Sequence, residues 1–93
     1  MKVSYDAEKR LKTLRDRALD FESARELFQG KHFTDLDERV DYGEERQISL
    51  GRIGDEVVVV VWTERSDTRR IISMRKADRD ERADYNEALD RSG

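Results

Sequence analysis

A run of five consecutive valines, Val57–Val61, constrains the fold of this chain more than any other feature of its sequence. Valine is β-branched and favours strands over helices. A strand that is apolar at every position has both faces covered, so the strand Val57 to Trp62 is expected to be central in its sheet. Either a C-terminal helix or a partner protein must cover its second face.

Weaker strand patterns flank the valine strand on both sides. Gly54-Asp55 is typical of a two-residue hairpin turn, and residues 65–68 form a second turn. The flanking strands are expected at Gln47 to Arg52, with Ile48 and Leu50 on one face, and at Arg69 to Lys76. Less regular patterns indicate a further strand at His32 to Leu36 and a possible short first strand at Lys2 to Tyr5.

Two helices precede the strands and one follows them. Asp6 is a typical N-cap for a helix to about Leu19, and Asp20 for a second helix that ends at Gly30. Asp78 and Glu81 have the spacing of a capping box for a last helix to about Leu89. The first helix has a narrow apolar stripe formed by Ala7, Leu11, Leu14 and Ala18. This order predicts an α+β fold with two N-terminal helices packed on a four-stranded antiparallel sheet, plus a C-terminal helix.

Composition limits the size and the chemistry of the protein. The 93 residues suit a single domain, 1–93, and the net charge of −3 does not by itself indicate nucleic acid. Without cysteine, and with His32 as the one histidine, we expect no metal and no cofactor. The apolar runs are too short for a transmembrane helix or a signal peptide, so we expect a cytoplasmic protein without membrane contact.

Basic residues concentrate late in the chain, with seven between Arg65 and Arg82. Regular alternation places Arg69, Ile71, Ser73 and Arg75 on one strand face and Arg70, Ile72, Met74 and Lys76 on the other. If Ile72 and Met74 are core residues, Arg75 lies on an open face with Ser73, Gln47, Ser49 and Arg65. Arginine grips phosphate through a planar fork of donors, so this face is a candidate phosphate site. A solvated, salt-bridged surface is the alternative.

Three other features have both a functional and a structural interpretation. Trp62 and Tyr85 can stack on nucleic-acid bases, or they can be core aromatics. Glu44 and Glu45 can supply a carboxylate base, or they can belong to an exposed turn. The acidic segment 35–45 can bind a basic partner, or it can be a solvated loop.

An ordered set of short motifs extends over roughly residues 5 to 85. It comprises Tyr5-Asp6, Asp20-Phe21-Glu22 with Ala24 and Phe28, Asp41-Tyr42-Gly43-Glu44-Glu45-Arg46, Leu50-Gly51-Arg52, Val59-Val60-Val61 with Thr63-Glu64-Arg65, Ile71-Ile72-Ser73-Met74-Arg75, and Glu81-Arg82 with Tyr85. In this order and at this length, the set resembles the BrnT family of type II toxin–antitoxin ribonucleases.

The resemblance implies a RelE-like ribonuclease that halts translation and a cognate BrnA-like antitoxin, with a homodimer or a toxin–antitoxin heterotetramer as the assembly. Related toxins cleave RNA without a metal. The roles that it implies are catalysis by Arg65, Arg75, Tyr85 and Glu45 (or Glu44), and RNA binding by Arg46, Arg52, Arg70 and Lys76. The alternative is a catalytically weak or inactive RelE-like binding module that acts through a protein partner.

One departure from the family pattern lies between the first two helices. Family members usually carry Lys-His-Gly there, whereas this chain reads Asp16-Arg17-Ala18. If that Lys or His takes part in cleavage, the activity of this protein is weakened or lost. If the step forms only the interhelical turn, nothing is lost.

Overall fold

The protein is described by a computed structural model covering residues 1–39 and 43–92, in which a five-stranded mixed sheet carries three α-helices. The elements are β1 (Lys2–Ser4), α1 (Ala7–Arg17), a 3-10 turn (Phe21–Ser23), α2 (Ala24–Gln29), β2 (Phe33–Leu36), β3 (Gln47–Ile53), β4 (Glu56–Arg65), β5 (Thr68–Lys76) and α3 (Arg79–Ser92). None of these helices has the length and apolarity needed to cross a membrane.

The sheet has the strand order β1-β5-β4-β3-β2, with the valine strand β4 at its centre. The expected antiparallel meander is present over β2 to β5. The sheet differs in count and in type from the four antiparallel strands expected, because the possible first strand at Lys2 to Tyr5 is present as β1 and adds a fifth, parallel pairing to β5. That pairing joins Lys2 to Thr68 and Ser4 to Arg70.

Both faces of the valine strand are covered, each by a different layer. Val58 and Val60 face the 3-10 turn and α2, where Phe21 and Leu27 are fully buried; we call this the α2 face. Val57 and Val59 face Tyr85 of α3, on what we call the α3 face. The C-terminal helix therefore supplies the second cover that the apolar run requires.

A β-bulge interrupts the pairing of β4 with β5. Val61 pairs with Ser73 and Trp62 pairs with Ile71, which leaves Ile72 as the extra residue. Ile71 and Met74 consequently both face the core and are 1% and 0% exposed. Regular alternation was therefore the wrong prediction for this strand, since one inserted residue reverses the face of every position beyond it.

The strand β3 has the opposite orientation to the expected one. Ser49 is 0% exposed on the α2 face, where its hydroxyl accepts a 2.8 Å hydrogen bond from Trp62 Nε1 and lies 2.7 Å from Thr34 Oγ1. The hydroxyl is buried because these two partners satisfy it. The predicted open face with Gln47 and Ser49 beside Arg75 is therefore wrong, and Ile48 and Leu50 share the face of Arg75 instead.

The helix ends follow their local signals with two differences. Asp6 caps α1 by accepting from the backbone nitrogens of Glu8 and Lys9. Asp20 caps the 3-10 turn rather than an α-helix, and α2 starts only at Ala24. Asp78 and Glu81 form a reciprocal capping box, with hydrogen bonds of 2.8 and 2.9 Å between each backbone nitrogen and the other carboxylate.

Candidate nucleic-acid interface

Three arginines of β4 and β5 project from the α3 face of the sheet. Thr63 of β4 pairs with Arg70 of β5, and Arg65 of β4 pairs with Thr68 of β5. Arg75 lies further along β5, opposite Val59. Paired residues of neighbouring strands project to the same side, so these arginines share one face. We call Arg65, Arg70 and Arg75 the arginine face. Arg46, which was also predicted to bind RNA, precedes β3, where its carbonyl oxygen accepts a 2.8 Å hydrogen bond from the backbone nitrogen of Asp37.

The bulge at Ile72 is what brings Arg70 to this face. Arg69, one residue earlier, stacks over the rings of Phe28 and Trp62 on the α2 face, at 4.4 and 4.7 Å from the ring centroids. Arg70 must therefore project to the α3 side. Without the extra residue, alternation would have separated Arg70 from Arg75.

Arg65 and Arg70 form the closest part of the arginine face. As diagonal neighbours on paired strands, their Cβ atoms are expected about 7–8 Å apart. Arg65 Nη2 lies 3.1 and 3.3 Å from the two carboxylate oxygens of Glu44. Arg70 makes no hydrogen bond or ion pair with any described residue, and its side chain is half-buried. At this end of the arginine face, the Arg65 guanidinium is therefore paired with a carboxylate, whereas the neighbouring Arg70 guanidinium has no such partner among the described residues.

Glu45 is positioned through its backbone. Its carbonyl oxygen accepts a 2.8 Å hydrogen bond from Thr63 Oγ1, which ties the segment before β3 to the centre of the arginine face. The exposed Glu45 carboxylate accepts from Gln47 Nε2 at 3.3 Å. Glu44 therefore contacts the arginine face directly through Arg65, whereas the Glu45 carboxylate contacts Gln47, which pairs with Trp62 of the α2 face.

Arg75 is held by Glu81, at the start of α3. Two parallel hydrogen bonds of 2.7 and 2.8 Å join Arg75 Nη1 and Nη2 to the two carboxylate oxygens. This bidentate pair raises the pKa of Arg75 and lowers the pKa of Glu81 to about 2. Glu81 is therefore ionised at neutral pH, and 40% of the Arg75 side chain remains exposed.

Asp37 and Arg39 form a second bidentate pair next to this surface, which the sequence analysis did not identify. Asp37 is 1% exposed at its side chain and accepts two 2.7 Å hydrogen bonds from Arg39. These hydrogen bonds lower the pKa of Asp37, and the charge of Arg46 adds to the effect. The sequence signal for this pair is one arginine, Arg39, within the acidic segment 35–45, which was interpreted as a solvated loop or a binding site for a basic partner. Residues 40–42 of that segment lie outside the described residues.

Two of the predicted RNA-binding residues lie elsewhere. Lys76 pairs with Val58 and projects to the α2 face, 4.0 Å from Glu56. Arg52 is on the α3 face, but its guanidinium lies over the ring of Tyr85 at 5.7 Å from the centroid, and it pairs with Val57, at the opposite end of β4 from Arg65. The structure therefore does not bring Lys76 or Arg52 to the arginine face.

Tyr85 was predicted to be catalytic, yet it lies in the core. It is 2% exposed, its ring packs against Phe33, and its hydroxyl donates a 2.8 Å hydrogen bond to the carbonyl oxygen of Lys31. A buried hydroxyl with a backbone acceptor is suited to packing rather than to substrate contact. Trp62 is 7% exposed and is likewise a core aromatic, the second of the two interpretations given for it from the sequence.

The Asp16-Arg17-Ala18 step ends α1 and turns the chain toward the 3-10 turn. Ala18 adopts the left-handed conformation, with φ 57° and ψ 34°, where glycine is usually favoured. Arg17 Nη1 donates a 2.7 Å hydrogen bond to the carbonyl oxygen of Met74 at the edge of the sheet. The step therefore forms the interhelical turn and anchors α1 to β5.

A cavity of about 400 Å³ lies between α3 and the sheet. Its lining is largely apolar and includes three carboxylates and one arginine, Asp35, Glu81, Asp84 and Arg91. An excess of carboxylates does not suit phosphate. The arginine face beside it remains the better candidate for nucleic acid.

Comparison with known proteins identifies the family of the chain. No curated protein matches the chain. The profile of one family, described as "Ribonuclease toxin, BrnT, of type II toxin-antitoxin system", matches residues 5–81. The match includes every element from α1 to β5, and also Glu81, but leaves out β1 and most of α3. The chain therefore belongs to the BrnT family of type II toxin–antitoxin ribonuclease toxins.

Proposed function

We propose that this toxin cleaves cytoplasmic RNA without a metal ion, inhibits translation, and binds its substrate on the arginine face. Family membership supports a ribonuclease toxin. The observation that carries the finer proposal is the bulge at Ile72, which turns Arg70 toward the face that holds Arg65 and Arg75. We treat residues 1–93 as one toxin domain, because β1 and β5 share a sheet.

The proposed reaction needs a base, positive charge and an acid, all of which protein side chains can supply. The RNA 2′-oxygen attacks the adjacent phosphorus as its proton passes to a base, and the bond from phosphorus to the 5′-oxygen breaks. A proton then reaches the departing 5′-oxygen, leaving a 2′,3′-cyclic phosphate and a 5′-hydroxyl. Guanidinium groups stabilise the extra negative charge on the phosphorane.

Arg70 and Arg65 are the groups that we assign to the phosphorane, and Glu44 or Glu45 is the assigned base. Arg70 has no carboxylate partner among the described residues, so its donors can turn to phosphate without breaking an ion pair. Arg75, held by Glu81, is assigned to a neighbouring part of the RNA backbone. Tyr85 is left out of this assignment because its hydroxyl is buried.

The departure at Asp16-Arg17-Ala18 need not abolish this reaction. Arg17 is engaged at the carbonyl oxygen of Met74, on the edge of β5, and the step serves as the turn after α1. The assigned guanidinium groups come from β4 and β5 instead. We therefore expect this chain to cleave RNA.

A type II toxin has an antitoxin partner. We propose a BrnA-like antitoxin that neutralises this chain, in a toxin–antitoxin heterotetramer or with a toxin homodimer. Because the net charge of the chain is −3, we expect RNA binding on the arginine face to weaken as the salt concentration rises.

The decisive experiment follows growth and total RNA together after induced expression in a bacterial host. The purified protein is also incubated with RNA in excess EDTA, and product ends are analysed for the cyclic phosphate. Wild type is expected to arrest growth and cleave RNA in EDTA. Arg65→Ala and Arg70→Ala should each lower the cleavage rate by roughly 100-fold, as expected for the loss of a transition-state donor. Arg75→Ala should weaken RNA binding and lower the cleavage rate by a smaller factor.

Lys76→Ala is the matched control, since Lys76 is a neighbouring exposed cation on the opposite face. It should leave cleavage and growth arrest unchanged. Equal losses in Lys76→Ala and Arg75→Ala would remove the arginine face from the mechanism. Growth arrest with intact RNA would favour the inactive binding module instead, and cleavage abolished by EDTA would refute metal independence.

A further inference from the structure

The apolar stripe of α1 faces solvent instead of the core. All four of its members are exposed: Ala7, Leu11, Leu14 and Ala18. Leu11 is 65% exposed and Leu14 is 43% exposed, and no residue of α1 is buried. An amphipathic helix on a globular protein normally turns its apolar stripe inward, so this orientation requires an explanation.

Polar contacts hold α1 in this orientation. Arg10 forms two hydrogen bonds, of 2.8 and 3.1 Å, with the carboxylate of Asp20 and lies over the ring of Tyr5. Arg17 is anchored at the carbonyl oxygen of Met74. The side of α1 that faces β5 presents Lys9, Lys12, Thr13, Asp16 and Arg17 to a shallow cleft. Because the helix is fixed by polar groups, its apolar stripe remains available to a partner.

Charge indicates which kind of partner fits the stripe. Helix α1 carries five basic and two acidic side chains, a net charge of +3 in a chain of net charge −3. At 100° per residue, Arg15 and Glu8 border the stripe on one side, and Arg10 and Arg17 on the other. Arg10 is paired with Asp20 and Arg15 with Asp16. Arg17 donates to a backbone carbonyl, and Lys9 and Lys12 have no carboxylate partner among the described residues. This positive balance favours an acidic binding segment.

A second copy of this chain fits the stripe poorly. Stacking α1 on α1 would bring +3 against +3. Nucleic acid would be drawn to the arginines but not to exposed leucines. A protein segment with apolar side chains bordered by carboxylates matches both features.

We propose that the stripe of α1 is a docking site for an acidic amphipathic segment of the antitoxin. Apolar side chains at helical spacing in that segment cover Leu11 and Leu14, and flanking carboxylates face Arg10, Arg15 and Arg17. This inference rests on the toxin–antitoxin part of the proposed function. It does not depend on RNA cleavage, because α1 packs on the edge of β5 and not on the arginine face.

The test uses the purified protein encoded by the reading frame next to the toxin gene, titrated against the full toxin chain. Leu11→Ala combined with Leu14→Ala is expected to raise Kd at least about tenfold, since both side chains would lie at the centre of the contact. The charge reversal Arg15→Glu should also raise Kd, and the difference from wild type should shrink at high salt. Leu36→Ala is the matched control, because Leu36 is 46% exposed on β2.

Folding and activity controls separate this inference from the proposed function. Thermal unfolding and RNA cleavage without the neighbouring protein should match wild type in the double variant, because exposed leucines add little to the core. An unchanged Kd in the double variant would overturn the docking site, as would no binding of wild type. If the toxin binds the neighbouring protein through the two leucines but cleaves no RNA, the ribonuclease proposal is refuted and the docking site is supported. Concentration-dependent self-association that the double variant abolishes would assign the stripe to a second copy instead.

Discussion

Arg75 of β5 and Glu81 of α3 are joined by two hydrogen bonds of 2.7 and 2.8 Å, while Glu81 also accepts the backbone N–H of Asp78. The same carboxylate therefore caps the helix and holds an arginine of the proposed RNA-binding face. This double role couples the start of α3 to the position of the Arg75 guanidinium. Loss of the carboxylate charge is expected to affect both.

The pH dependence of stability should reveal the Glu81 contribution. The pKa of Glu81 is lowered from 4.5 to about 2, so its stabilisation is fully present above pH 4.5 and is lost as the pH falls toward 2. Allowing for partial solvent screening, we expect about 1–2 kcal/mol. Chemical denaturation of wild type and Glu81→Gln between pH 2 and 7 should give free energies of unfolding that converge at low pH. Glu87→Gln, at an exposed ion pair of the same helix, should follow wild type.

Tyr85→Phe distinguishes a packing role from an acid–base role. Removing the hydroxyl leaves the carbonyl oxygen of Lys31 without this donor, so the free energy of unfolding should fall by about 1 kcal/mol. Under conditions in which both proteins are fully folded, the rate of RNA cleavage should remain close to that of wild type. A loss of 100-fold or more, with the fold intact by circular dichroism, would return Tyr85 to the catalytic residues.

Ala18→Gly should stabilise the protein. Ala18 adopts φ 57°, a conformation that disfavours a side chain, and glycine removes that strain at a smaller cost in unfolded-chain entropy. We expect a gain of about 0.5–1 kcal/mol in thermal or chemical unfolding. The matched control is Ala83→Gly, at an exposed right-handed position within α3, which should lose about 1 kcal/mol. Destabilisation by Ala18→Gly would contradict the left-handed turn.

Gly51→Ala should destabilise the contact of α2 with the sheet. A Cβ atom at Gly51 would lie 2.7 Å from Cγ of Leu27, a fully buried side chain that has no room to move. Such overpacking costs about 1–3 kcal/mol. Gly30→Ala, whose Cβ would meet its nearest atom at 3.7 Å, is the comparison and should be nearly neutral. Equal stability of the two variants would argue against this packing.

Much of the architecture followed from local patterns. The valine run predicted a central strand covered on both faces, and the turn at Gly54-Asp55 and the capping box of α3 also occur where expected. These signals are reliable because each depends on residues close together in the chain. The fifth strand was only a weak pattern, since its pairing to β5 joins residues 2–4 to residues 68–70.

The candidate site was less predictable, because it depends on which way each side chain projects. Alternation put Arg70 and Lys76 on one face and Arg75 on the other, and the unforeseen bulge at Ile72 placed Arg70 with Arg75 while leaving Lys76 opposite. The orientation of α1 was hidden in the same way, because the contacts of Arg10 and Arg17 outweigh a stripe of two leucines.

The sequence by itself determined the class of fold, the central strand and the family, since these depend on composition, spacing and the order of motifs. Only the tertiary structure decided which arginines share a surface, that Tyr85 is a core residue, and that the apolar stripe of α1 faces outward. The physical reason is that a one-residue bulge and a few long-range hydrogen bonds, which leave no local signal, set the direction of every side chain around them.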